Sequence, residues 1–174
     1  MLDPSQLRAW VVRPVLEGLG AWSPAAENLV MGTAAQESLL VYIDQKERRG
    51  RRPRIGPGLG LWQMEAPTHA DHWRWLRDRP ALARKVLEVS GVRTADASPF
   101  TVDPAVLVYN LRYGAALCRV HYLRRPEPLP AADDVDGLAR YWKAHYNTRL
   151  GAGTPEQFVR NYAKVRHSHE ELAP

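Results

Sequence analysis

One segment constrains the fold of this chain more than any other. Residues 104 to 124, "PAVLVYNLRYGAALCRVHYLR", are apolar around most of a helical circumference. Such a helix would leave an apolar face in water on any surface, so it needs other helices around it. A central buried helix is therefore expected. The chain has 174 residues, 45% of them hydrophobic, enough to bury such a core in one domain spanning 1–174 without metal or disulfide support. The single cysteine, Cys118, lies inside this segment, can form no internal disulfide and reads as core packing.

The surrounding helices announce their starts. Asp3-Pro4, Ser23-Pro24, Asp103-Pro104 and Thr154-Pro155 each place a capping oxygen before a proline, whose missing N–H is no loss in a first turn. Thr154 and Gln157 also have capping-box spacing. From these starts and the apolar spacing, helices are expected near 4–18, 24–42, 68–78, 80–90, 104–124, 135–146 and 155–165. Alternating strand patterns are scarce, so the fold class is mainly α with little or no β-structure. The Gly- and Pro-rich stretches at 50–60 and 125–132 read as connections inside the domain. Asp133, Asp134 and Asp136 resemble part of a calcium loop, but Ala132 and Lys143 occupy its first and twelfth positions, so these acids read as caps.

Composition narrows function only a little. A net charge of +5 and a pI near 9.6 favour polyanionic partners. The densest basic run, "KERRGRRPR" at 46–54, has no nucleic-acid reader motif beside it and reads by default as a solvated loop. No stretch approaches the roughly 18 apolar residues of a membrane span. The first twenty residues contain Asp3, Arg13 and Pro14 and do not resemble a signal peptide, so delivery by another route is expected.

Chemistry is suggested by "GTAAQESLL", residues 32–40, where Glu37 ends an apolar helical pattern. Thr33, Ala34, Leu40 and Val41 stand three or four residues away. Desolvation there would raise the pKa of the carboxyl group, as a general acid requires. Some twenty residues later, "GPGLGLWQMEAPTH" offers glycines that permit close backbone approach, with Trp62 and Gln63 as an aromatic face beside an amide. That pairing suits a sugar, whose C–H face packs on an aromatic ring while its hydroxyl and N-acetyl groups seek fixed polar partners.

Glu37-Ser38, then Gly60-Leu61-Trp62-Gln63-Met64, then Asn110 with Gly114-Ala115, then Tyr146-Asn147 occur in an order and spacing that resembles the lytic transglycosylases and goose-type lysozymes, especially phage versions. The resemblance spans residues 32–147. It departs at Leu39, where those proteins usually carry glycine, at Pro67, one place late, and at Thr148-Arg149, where Ala-Gly is common. It implies a lysozyme-like domain that cleaves the MurNAc-GlcNAc β-1,4 bond of bacterial peptidoglycan, with Glu37 as the catalytic acid. Ser38, Trp62, Gln63, Tyr146 and Asn147 would bind substrate. No cofactor is implied. The expected setting is a phage virion or the host cytoplasm with delivery to the periplasm, other virion proteins being further partners.

A single essential carboxylate favours ring closure by the muramic 6-hydroxyl over hydrolysis, which would usually need a second acid; Asp44, Glu47 and Glu65 are the nearest in sequence. A hydrolytic muramidase, and a virion structural protein retaining the fold without activity, remain the alternatives. His69, Asp71 and His72, like His121 and His145, lack a metal-ligand spacing, so no metal is expected. The arginines at 48, 49, 51 and 52 lie between Glu37 and the Gly-rich segment, which predicts a place beside the cleft entrance facing stem-peptide carboxylates.

Overall fold

Three of the four proline-led starts open helices as the sequence predicts in the computed structural model, which describes residues 2–47, 54–94, 102–147 and 151–166, with only the backbone at 44–47 and 54–56. Asp3 accepts the Gln6 N–H at the head of α1 (Pro4–Leu7), which runs through a π-helical turn (Arg8–Val12) into α2 (Arg13–Leu19). Ser23 accepts the Ala26 N–H and starts α3 (Pro24–Ser38). A small antiparallel sheet follows, ordered β1 (Asp44–Glu47), β2 (Arg54–Leu59) and β3 (Met64–Glu65). Helices α4 (Ala66–Arg77), α5 (Pro80–Ser90), α6 (Val106–Tyr109) and α7 (Leu111–Leu123) precede α8 (Val135–Trp142), a second π-helical turn (Lys143–Asn147) and α9 (Pro155–Arg166). Thr154 and Gln157 cap the last helix reciprocally, each accepting the other's backbone N–H. The arrangement is a mainly helical single domain.

Helix α7 is its centre. It packs against α2, α3, α4, α5, α6 and the first π-helical turn, and Tyr113, Ala115, Ala116, Leu117, Cys118 and Val120 are shut off from solvent. The expected single helix over 104–124 is broken at Asn110. There the backbone turns extended, and the side chain accepts the Tyr113 N–H while donating to the Ser90 carbonyl. Asn offers the backbone a partner outside the helical ladder, and here that competition ends one helix and caps the next. Asp103, the fourth proline-led start, caps a turn at Ala105 and the helix proper begins later, at Val106. Asp134 accepts the Gly137 N–H and caps α8, as read from the sequence.

Two further expectations need correction. The Gly-rich stretch 50–60 is not only a connection, because its second half pairs as strand β2 between β1 and β3. Three glycines and Pro57 erase any side-chain alternation there, so the pairing is invisible to a period-two search. Helix α3 stops at Ser38 rather than continuing to 42. Ser38 Oγ donates to the Ala34 carbonyl and accepts the Leu40 N–H, and Leu39 and Leu40 both take left-handed φ values, 52° and 54°.

The start of α3 is fixed by a buried ion cluster. Glu27 accepts from Arg8 at 2.7 Å, from Arg13 at 2.8 and 3.1 Å and from the Trp22 indole at 2.6 Å. Arg8 also reaches Asn28 at 2.9 Å and the Tyr162 hydroxyl at 3.4 Å, so the cluster joins the N-terminal helices, α3 and α9. Both Arg8 and Glu27 are buried.

Candidate active site

Glu37 lies in the last turn of α3, just before the backbone turns left-handed. Its carboxyl is partly buried, and Oε1 accepts the Trp142 indole N–H at 3.0 Å. Burial raises its pKa to about 7, and the Trp142 hydrogen bond opposes that rise without cancelling it. Glu37 is thus an acid that keeps its proton close to neutral pH.

Tyr146 lies on the π-helical turn after α8, near enough to Glu37 to feel its charge. Its hydroxyl donates to the Trp62 carbonyl at 2.7 Å, which ties this turn to the one carrying Gln63. Burial first, and then the nearby Cys118, Glu37 and Tyr122, push the Tyr146 hydroxyl well above its ordinary pKa, so it remains a neutral hydroxyl. The turn itself is held by the His145 carbonyl, which accepts from His121 at 2.6 Å and from Arg125 at 3.2 Å. Lys143 reaches forward to Asn147 Oδ1 and the Gly151 carbonyl, both at 2.7 Å, leaving the Asn147 amide N–H₂ as its remaining donor group.

The Gly-rich turn brings Gln63 into place at a cost in backbone strain. Gln63 has φ 47°, and its Nε2 donates to the Gly60 carbonyl at 2.6 Å. Gly60 is itself left-handed, at φ 69°, and a Cβ there would lie 2.1 Å from the Leu107 carbonyl oxygen, so no other residue fits. Non-glycine residues in this region cost on the order of 1 kcal/mol each, and they concentrate at functional sites.

Tyr146 is tied to the neighbour of Gln63, and Asn147 lies beside Gly153, which also adjoins Trp142, the donor to Glu37; two of the expected ligand-binding residues are not available. Trp62 is 2% exposed, donates its indole N–H to the Val30 carbonyl at 3.0 Å, and packs against α7, where a Cβ at Gly114 would be 2.7 Å from the ring. It is core, not a sugar platform. Ser38 is 1% exposed and its hydroxyl is engaged by the backbone, so it shapes the end of α3. Leu39, found where glycine is usual in the resembled motif, occupies the left-handed backbone in which glycine would be at ease, with its side chain exposed. The contact that sequence reasoning missed is Trp142.

Of the other candidate acids, Glu65 is exposed and the side chains of Asp44 and Glu47 lie outside the described residues. The arginine run at 48, 49, 51 and 52 also lies outside them, and with it the expected place beside the cleft. Among the described residues no group of three or more His, Cys, Asp or Glu side chains is gathered as a metal site, and no helix is long and apolar enough to cross a membrane. His69 instead meets the Tyr113 hydroxyl, and His72 meets the Thr68 carbonyl.

Fold and site together define a mainly helical domain with a partly buried, protonatable carboxyl at the end of α3 that accepts the Trp142 indole N–H. Compared with known proteins, the chain matches no family model, no curated protein and no solved structure.

Proposed function

We propose that this chain is a lysozyme-like domain that cleaves peptidoglycan glycan strands as a lytic transglycosylase, with Glu37 as its one catalytic carboxyl. The observation that carries the reading is a partly buried carboxyl at the end of α3, raised to about 7 and held by the Trp142 indole, with Tyr146 near enough to feel its charge. The chain order of Glu37, Gln63, Tyr146 and Asn147 is that of the resembled family's motifs. Delivery in a phage virion or a lysis system is the setting the same resemblance implies.

The reaction balances without water or a second acid. Glu37 gives its proton to the oxygen linking N-acetylmuramic acid to N-acetylglucosamine, and the C1–O bond breaks as the leaving sugar takes up that proton. The resulting carboxylate removes the proton of the muramic 6-hydroxyl while O6 bonds to C1, which closes a 1,6-anhydro ring and returns Glu37 to its acid form. Neutral Tyr146 can accept a hydrogen bond from the sugar while its own hydroxyl hydrogen is donated to the Trp62 carbonyl. The Asn147 amide can donate to an N-acetyl or hydroxyl oxygen.

Mass spectrometry of muropeptides released from purified sacculi tests this directly. Products ending in 1,6-anhydromuramic acid, one water lighter than hydrolysis products, are expected. Reducing-end muramic acid would instead identify a hydrolase, and no release at all would favour a structural role. Because the proton donor must be protonated, turnover should be level below the Glu37 pKa and fall about tenfold per pH unit above it. With that pKa at about 7, the decline should set in close to neutral pH. A profile still rising at pH 9 would rule out Glu37 as the acid.

A further inference from the structure

We propose that Trp142 is the positioning residue of Glu37: its indole N–H holds Oε1 as the accepting oxygen, so that the proton leaves from Oε2 and returns there. This rests on the reading of Glu37 as the acid. The indole nitrogen can only donate, so a carboxyl oxygen 3.0 Å from it must present a lone pair. When the group is protonated, the hydroxyl hydrogen is thereby directed to the other oxygen. When the proton has left, the same N–H faces a carboxylate, and a hydrogen bond to a charged acceptor is about twice as strong as one to a neutral acceptor. The contact therefore tightens as the reaction charges Glu37, which is where a catalytic hydrogen bond acts.

The donor is preorganised. Trp142 is fully buried, and its ring rests on Phe158 with centroids 5.5 Å apart. Its outer edge is closed by the backbone at Gly153, where an added Cβ would stand 2.6 Å from Cη2, 3.2 Å from Asn147 Nδ2 and 3.3 Å from Gln36 Nε2. Gln36, the neighbour of Glu37, is in turn held by Asn161 of α9 at 2.9 Å. An indole confined on both sides has no freedom to swing away from the carboxyl, so its N–H is already aimed when substrate arrives. The structure gives Glu37 no other hydrogen-bond donor among the described residues, and burial outweighs Trp142 in setting its proton affinity.

The test uses the whole chain with carbon-13 at glutamate Cδ, so that Glu37 is titrated by NMR without substrate. Three variants are compared: Trp142→Phe, Gly153→Ala, and replacement of Trp142 by 3-benzothienylalanine, which keeps the bicyclic shape and puts sulfur where the N–H was. Without the donor, the Glu37 midpoint should rise by on the order of one pH unit, the alkaline limb of the rate profile should move with it, and kcat should fall roughly 10- to 100-fold. KM should change little. Gly153→Ala should shift the midpoint in the same direction by displacing the ring.

If the sulfur analogue titrates and turns over like the parent while Trp142→Phe does not, Trp142 only fills space and the inference is overturned. An unmoved midpoint in all three variants overturns it equally. A moved midpoint in a protein that releases no muropeptides would uphold the Trp142–Glu37 coupling and remove the peptidoglycan reading. A parent midpoint at an ordinary carboxylate value would remove both.

Discussion

Glu37→Gln should give a folded protein that has lost glycan-cleaving activity and is more stable than its parent at pH 8. The activity loss follows because the amide matches the shape of the acid but can neither give the proton nor take one back. Losing a general acid alone lowers rates by about 10²- to 10⁴-fold, and in the proposed reaction Glu37 serves both steps. The stability gain follows from linkage. In the folded chain the Glu37 pKa is raised from 4.5 to about 7, because burial disfavours its charge. The folded state therefore holds a proton that the unfolded state has released, and stability falls as pH rises through that window. The contribution is fully present below the unfolded value and is lost above the folded one. Gln is neutral throughout, so the variant escapes the loss, by on the order of 3 kcal/mol at pH 8. Paired thermal melts at pH 4 and pH 8, alongside sacculus digestion, check both halves. A variant with near-normal turnover removes the mechanism. A stability difference that does not change with pH would mean that Glu37 is not held neutral.

Residues whose structural role is local could be read from the sequence. Asp3, Ser23, Thr154 and Asp134 cap the helices their spacing announced, since a cap needs only its own side chain and the next three residues. The central helix was legible because an all-round apolar pattern has one solution. Glu37 was legible as an acid in apolar surroundings, and the Tyr146 and Gln63 motifs fell in order. Trp62 misled because an aromatic ring beside a glycine-rich turn suits both a platform and a core. The deciding signal was Gly114, a residue that weakens a buried helix by about 1 kcal/mol relative to alanine and so marks the close approach of something large. Trp142 could not have been found in this way. Its N–H meets Glu37 across 105 residues of chain, and nothing in "YWKAHYN" says which way the indole points. The ends of α3 and α6 were missed for a related reason, because Ser38 and Asn110 turned side-chain oxygens on the backbone where helix propensity alone would have continued.

The far end of α3 carries the largest stability prediction. Glu27→Gln should destabilise the protein by about 3 to 5 kcal/mol, because it leaves Arg8 charged and buried with its main counter-ion gone. For a chain of this size that is a fall in Tm of roughly 6 to 20 °C. Burial alone would raise the Glu27 pKa, but the hydrogen bonds from Arg13, Trp22 and Arg8 outweigh it and hold the carboxyl at about 2. Its folded pKa is thus below its unfolded one, so the stabilisation is present above the unfolded value of about 4.5 and is lost as pH falls towards 2. The parent should therefore weaken in acid while Glu27→Gln, already without the charge, shows a flatter acid limb. The double variant Arg8→Met with Glu27→Gln separates a broken pair from a needed one. Removing both charges should recover much of the loss, since a buried ion pair replaced by apolar groups is often neutral in stability. Denaturant unfolding of the four proteins of that cycle at pH 7 and pH 3.5 gives the coupling energy. If Glu27→Gln alone costs less than about 1 kcal/mol, the cluster is no better than an exposed pair, and the anchoring of α3 must lie in its apolar contacts with α7 and α9.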